Sequence, residues 1–300
     1  MSIVSSKVDA SFLAEYQARF NAALQKSLFG MGEKNKLRDA CEYALMSGGK
    51  RFRPIITLLI AESLGSRSDV MQAALSIEYM HTASLIIDDL PCMDDDEFRR
   101  GKPCLHKVFG ETTALLASYT LVNLAYEKIY DAASLLEIKQ GAMAQKACMT
   151  ALGEASRAAG FLGATGGQFF DLFPPEKSLA MIRKVIYQKT VCLFEIAFLF
   201  GWIFGGGDFQ RLDVVKNAAA HFGMAFQIAD DLQDQKQDRK RSEEMNIALF
   251  LGIEKAHQEF DREMALFEEK LSVLSIDLKP FLLLKELMIK HKNSFSYKNF

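Results

Sequence analysis

Proline is scarce in this chain, with 6 in 300 residues and two of those adjacent as Pro174-Pro175, so few positions forbid a helical backbone. Strand signals are equally sparse, because alternating apolar and polar runs bounded by turn dipeptides hardly occur. Net charge is also lacking. With 36 basic against 38 acidic residues the balance is −2, and no global field draws in nucleic acid or an anionic membrane surface. The 5 cysteines (Cys41, Cys92, Cys104, Cys148, Cys192) form no CxxC and have no histidine pair nearby. That argues against a disulfide framework and a structural zinc site, and for reduced, mostly buried thiols. No apolar leader opens the chain, where Lys7, Asp9 and Glu15 interrupt, so the expected compartment is the cytoplasm. The most apolar run, Cys192 to Gly207, holds Glu195 and falls short of the roughly 20 residues that a bilayer crossing takes. It reads as a buried core helix, and no transmembrane segment is expected.

What is present is helical. Apolar residues recur at i, i+3, i+4 and i+7 through long stretches, and 49% hydrophobic content is enough for a large core. Breaks fall at Ser47-Gly48-Gly49, Leu64-Gly65-Ser66, Pro91, Arg100-Gly101, Gly166-Gly167, Phe173-Pro174-Pro175 and Gly205-Gly206-Gly207, and none is a linker. The pattern predicts an all-α chain: a single large helical bundle, one domain over residues 1–300, with helices packed around a central apolar volume.

Chemistry enters between Ile87 and Gly101. Asp88, Asp89, Asp94, Asp95 and Asp96 would repel one another in a low-dielectric site, so something cationic must hold them. Along an unbroken helix Asp88 and Asp94 would stand about 240° apart, at roughly 100° per residue. Pro91 removes that obstacle: it lacks an N–H and disfavours a helical residue before it, so the helix loosens and the later aspartates swing toward Asp88. Carboxylates are the hard oxygen ligands that Mg2+ prefers, alongside waters and substrate phosphate oxygens. An acidic surface turn is the plainer alternative.

A second cluster follows the apolar stretch Ala218 to Ala229. Asp230 and Asp234 sit at i and i+4 on one helix face, with Asp231 between them, a like-charge arrangement that an idle surface would tend to avoid. Two such clusters facing each other would clamp one diphosphate through bridging magnesium ions. Cations complement them at Lys50, Arg51 and Arg53, at Arg99-Arg100 and at Lys189, beside Thr190. A second diphosphate held without metal would need about this set, with arginine able to grip oxygens in pairs.

Five segments together carry a resemblance: GGKRFRP (Gly48 to Pro54), EYMHTASLIIDDLPCMDDDEFRRGKPCLHKVFGE (Glu78 to Glu111), GGQFFDL (Gly166 to Leu172), QKT (Gln188 to Thr190) and FQIADDLQD (Phe226 to Asp234). In this order they resemble the signatures of the trans-isoprenyl diphosphate synthases, the family of farnesyl and geranylgeranyl diphosphate synthases. The resemblance implies an all-helical, usually homodimeric enzyme with a deep central cavity and three magnesium ions, joining isopentenyl diphosphate to an allylic diphosphate. Position by position, Lys50, Arg53, His81 and Arg100 match residues for isopentenyl diphosphate. Asp88, Asp94 and Asp230 match the principal metal ligands, with Asp89, Asp231 and Asp234 in support. Arg99 and Lys189 match contacts to the allylic diphosphate, and Thr190 and Gln227 match groups beside the developing cation. Charge type supports each assignment but does not by itself order the two substrates.

Ala83, followed by Ser84, stands five positions before Asp88, where farnesyl-forming bacterial relatives typically carry an aromatic residue. Small residues there leave the tunnel open, so the resemblance implies a geranylgeranyl product, with a farnesyl synthase as the alternative. The match also has departures. Ile87 replaces a frequent histidine, Tyr119 a frequent aspartate, the loop after Asp238 is short, and Glu244 aligns with a lysine that normally helps hold the allylic diphosphate, a role open here to Lys236, Lys240 or Arg241. These departures keep a second class in view, a non-catalytic subunit that modulates an active synthase.

Overall fold

The structure, a computed structural model, describes residues 3–65, 68–241 and 245–294, with side chains described in 12–65, 68–136, 141–233 and 245–288. Among these, 14 α-helices follow one another: α1 Ile3–Ser27, α2 Lys36–Leu45, α3 Phe52–Ser63, α4 Met71–Asp88, α5 Leu105–Phe109, α6 Glu111–Gln140, α7 Ala142–Ala159, α8 Ala164–Leu172, α9 Leu179–Ile186, α10 Cys192–Phe204, α11 Leu212–Arg241, α12 Ile247–Leu251, α13 Ile253–Leu274 and α14 Lys279–Ser294. The expected all-α class holds. One small hairpin, β1 Phe98–Arg99 with β2 Lys102–Pro103, interrupts it. Its two central residues, Arg100 and Gly101, have φ of 55° and 75°, the doubly left-handed pattern of a type I′ turn.

Local chemistry sets several boundaries. The Asn35 side chain accepts from the amides of Leu37 and Arg38, both at 3.0 Å, and starts α2. Ser178 and Asn246 cap α9 and α12 in the same way. Gly166-Gly167 is not the break that the sequence suggested: both glycines lie inside α8. Gly167 serves close approach, since a Cβ there would run into the backbone nitrogen of Lys189.

The chain divides into two compact units, residues 1–155 with 200–207, and residues 156–199 with 208–300. In the first, α6 lies along α4 and buries Ala114, Ala117, Leu121, Ala125 and Ile129 at helical spacing. In the second, α11 packs along α13 around an aromatic core, where Phe222 and Phe267 have ring centroids 5.1 Å apart and Phe198 stacks on Phe281 at 5.8 Å.

The apolar run beginning at Cys192 continues a helix that starts at Leu179, so the helical segment Leu179–Phe204 has 26 residues, long and apolar enough to cross a membrane. Length therefore does not exclude a membrane span, contrary to the expectation from the sequence. Burial is the criterion instead, because 89% of the apolar window lies inside the protein, as in a core helix. Of the cysteines, Cys41, Cys104 and Cys192 are buried as expected, whereas Cys92 is exposed. Phe267 is fully enclosed by Phe198, Phe222 and Phe281, so Phe267→Ala is expected to cost about 3–5 kcal/mol in a chemical denaturation experiment.

Candidate active site

In the first unit, two tight turns distant in sequence interlock. Gly48 and Gly49 have φ of 92° and 116°, and Arg51 enters α3 left-handed at 57°. The guanidinium of Arg100, at the tip of the hairpin, lies directly against Gly49: a Cβ on that glycine would come within 2.5 Å of Arg100 Cζ. Its Nη1 donates to the Gly48 carbonyl and stands 3.9 Å from Glu78 Oε1. Only a glycine admits this contact. Arg51 turns inward instead. It pairs with Glu78, donates from Nη2 to Leu45 O at 2.7 Å, and both members of the pair are almost fully buried. Lys50 remains exposed, its ammonium 5.8 Å from the Phe52 ring.

His81, on α4, lies among these cations, with Nε2 3.4 Å from Arg53 Nη1. Loss of hydration, and then the fields of Arg53, Arg100, Arg51 and Arg99, hold its imidazole well below the ordinary value of 6.5. His81 is therefore neutral. Burial similarly pulls the Arg100 guanidinium down, which Glu78 partly offsets.

The acidic turn follows the course expected of it. Helix α4 ends at Asp88 and Pro91 lies just beyond the cap; the amide of Asp94 then donates back to the Asp88 carbonyl at 2.9 Å. That bond brings the two residues together. Asp95 takes up the left-handed bend with φ of 50°. Asp89 behaves differently from its neighbours. It is buried and accepts from Arg99 Nε at 2.8 Å, and Arg99 also reaches Asp96 Oδ2 at 2.9 Å. Burial lowers the Arg99 pKa, but the hydrogen bond and charge of Asp89, with Asp96 and Asp88, outweigh it and raise it overall. Asp89 also helps burial push the Cys104 thiol up to about 12.

In the second unit, α9 passes into α10 through a π turn, Tyr187–Val191, which carries Lys189 and Thr190. Lys189 Nζ reaches Asp171 Oδ2 on α8 at 2.6 Å. The Thr190 hydroxyl donates to Gln227 Oε1 at 2.8 Å, Gln227 Nε2 donates to Asp231 Oδ1 at 2.7 Å, and Asp231 Oδ2 accepts the Ile247 amide at 2.8 Å. Asp231 thus orients Gln227 and anchors the start of α12. Asp230 is half-buried, and α11 stays regular past Asp234, so the two share a face in backbone terms. The side chains of Asp234, Lys236, Lys240 and Arg241 lie outside the described residues, as does Glu244 altogether. The stretch after Asp238, read from the sequence as a loop, continues α11 to Arg241.

Ala83 is buried and its carbonyl accepts from Ser118 Oγ at 3.0 Å, while Ser84 bonds back to the His81 carbonyl at 2.9 Å. Tyr119, one residue beyond Ser118, is 69% exposed. Several participants escaped the sequence reading: Glu78, the partner of Arg51; Asp171, the partner of Lys189; and Gln168, whose two amide atoms are buried without a protein hydrogen bond among the described residues. The spacing of Gln168 and Asp171 within GGQFFDL was the available signal.

Among the described residues no three His, Cys, Asp or Glu side chains converge into a metal cage. Oxygen donors in ones and twos fit Mg2+, which completes its shell with water and phosphate, and would not fit zinc. The cationic surroundings of His81 make a titration test. An unfolded chain protonates this histidine near 6.5 and the folded one does not, so its contribution to stability is full above that value and is lost as pH falls below it. NMR of the ring is expected to show the protonation step displaced well to the acid side of the free-histidine step near 6.5.

A model described as polyprenyl synthetase matches residues 34–245, which include all five signatures. The chain is 37% identical over 220 residues to putative geranylgeranyl pyrophosphate synthase 8, chloroplastic, from Arabidopsis thaliana, covering 71% of this chain and 59% of that protein. It is 38% identical over 231 residues to heterodimeric geranylgeranyl pyrophosphate synthase large subunit 2 of the same plant, covering 75% and 58%. The match thus spans somewhat under three fifths of each relative's length. The crystal structure of a geranyltransferase from Legionella pneumophila superposes with a TM-score of 0.82 at 25% identity, covering 96% of this chain and 99% of that one. The chain, with its signatures in order on an all-α framework, belongs to the polyprenyl synthetase family.

Proposed function

We propose that this protein is a Mg2+-dependent short-chain prenyltransferase, one catalytic domain over residues 1–300, that condenses isopentenyl diphosphate with an allylic diphosphate to give geranylgeranyl diphosphate. The observation that carries this reading is the interlock of the Gly48-Gly49 turn with the Arg100 hairpin, in which residues 52 apart and from two different signatures form one cationic surface. Such a surface suits a diphosphate bound without metal. A terpene cyclase, which ionises one diphosphate only, has no use for it.

In this reading Lys50, Arg53, Arg100 and neutral His81 hold isopentenyl diphosphate. Asp88, Asp94 and Asp230 would supply carboxylate oxygens to magnesium ions, three being expected. Bound Mg2+ would neutralise charge on the departing diphosphate. Asp89 and Asp231 act from behind, the first through Arg99 and the second through Gln227. Lys189 and Arg99 grip the allylic diphosphate as its C–O bond ionises. The Thr190 hydroxyl and the Gln227 amide oxygen present negative dipole ends to the allylic cation. The isopentenyl double bond then attacks that cation, and a proton leaves to the released diphosphate, giving a product one isoprene unit longer. Holding both substrates together removes the entropy cost of a bimolecular encounter.

The small, buried Ala83 supports a twenty-carbon product, and Leu115, Leu116 and Tyr119 on α6, 41%, 51% and 69% exposed, offer apolar surface for a homodimer. Incubation with labelled isopentenyl diphosphate and farnesyl diphosphate is expected to yield a twenty-carbon diphosphate by mass, abolished by EDTA. Asp88→Ala and Asp230→Ala should each lower kcat by on the order of 10²-fold or more. A fifteen-carbon end product from geranyl diphosphate would reassign the enzyme as a farnesyl synthase. An inactive chain that activates a partner synthase would make it a modulating subunit.

A further inference from the structure

Glu195 is a buried carboxylate that the condensation chemistry leaves unused. Glu195 sits in the most apolar helix of the chain, only 2% exposed, with both oxygens engaged: Arg157 Nη2 reaches Oε2 at 2.8 Å, and the Tyr187 hydroxyl donates to Oε1. Tyr187 is the first residue of the π turn and Glu195 lies beyond its end, so the hydrogen bond runs across the length of the turn. On a regular α-helix two residues eight apart stand about 80° from each other, at roughly 100° per residue. A π turn absorbs one extra residue, which reduces the effective spacing to about seven and brings the pair within about 20° of the same face. The Tyr187–Glu195 contact is thus matched to the π register and mismatched to the α register.

Lys189 and Thr190 lie inside that turn. From it Lys189 points to Asp171 on α8 and Thr190 to Gln227 on α11, while Gly167 of α8 presses against the turn's backbone. Straightening the turn into α geometry would rotate everything before it by about one residue, roughly 100°, relative to everything after it. Those contacts could not all survive. We propose that Glu195, clamped by Arg157 and Tyr187, is a positioning residue that latches the π register and thereby sets where Lys189 and Thr190 meet the allylic substrate. Burial, followed by the hydrogen bond and charge of Glu195, pushes the Tyr187 phenol up to about 12, so it remains a hydrogen-bond donor at any physiological pH.

This inference rests on the proposed function for its kinetic consequence but not for the latch itself, and the experiment separates the two. Tyr187→Phe removes one hydroxyl from the full-length protein. Amide hydrogen exchange across residues 187–191 is expected to speed up relative to wild type, and the KM for the allylic diphosphate to rise by on the order of 10-fold while the KM for isopentenyl diphosphate stays put. Glu195→Gln, which keeps an acceptor for Tyr187, should retain more of the wild-type allylic KM than Glu195→Leu, in which the 29% exposed Arg157 can still reach water. Unchanged exchange in Tyr187→Phe overturns the latch. Faster exchange with an unchanged allylic KM, or equal rises in both KM values, overturns the positioning role. A wild type inactive with every allylic primer would defeat the proposed function alone, leaving the exchange measurement to decide the latch.

Discussion

A charge withdrawn from water has to meet its opposite, and the arrangement of both units follows from that constraint. The cost of an uncompensated buried ion is several kcal/mol, enough to consume much of a domain's stability. Arg51 and Glu78 sit deep in the first unit as a pair, and Asp89 is buried only because Arg99 covers it. In the second unit Glu195 has Arg157 and Tyr187. These inner pairs fix the posture of the outer charges. Glu78 holds Arg51 and draws Arg100 over Gly49; burial first, and then the field of these cations, keep His81 neutral.

Backbone irregularities do the remaining placement. The left-handed entry at Arg51, the type I′ tip at Arg100-Gly101, the return of the Asp94 amide to Asp88 and the π turn at Lys189-Thr190 each interrupt a helix or a loop where a proposed substrate contact lies. Regular helices would aim such side chains only along fixed faces. An added residue or a positive φ redirects one side chain while the surrounding packing stays intact.

Much of this was legible in the sequence, for stated physical reasons. Pro91 announces the end of α4 because it can neither donate nor tolerate a helical predecessor, and the i, i+4 spacing of Asp230 and Asp234 needs only an unbroken helix. Other features were not legible because they depend on partners distant in the chain. Nothing in GGKRFRP distinguishes Arg51, buried on Glu78, from Arg53 beside His81. Gly166-Gly167 has the composition of a break, yet it is helical because the π turn packs against it, and that turn has no composition signal of its own. The roles of Asp89 and Asp231 were hidden for the same reason: adjacent aspartates look alike until Arg99 and the Ile247 amide single one of them out.

In the proposed function the two acidic signatures and the interlocked arginine turns serve different diphosphates, one through metal and one without. Calorimetric titration of inorganic pyrophosphate into the purified protein, with EDTA and then with excess Mg2+, addresses that division directly. Two binding events are predicted, one that persists in EDTA and one that appears only with Mg2+. A single event, or no binding without metal, would contradict it.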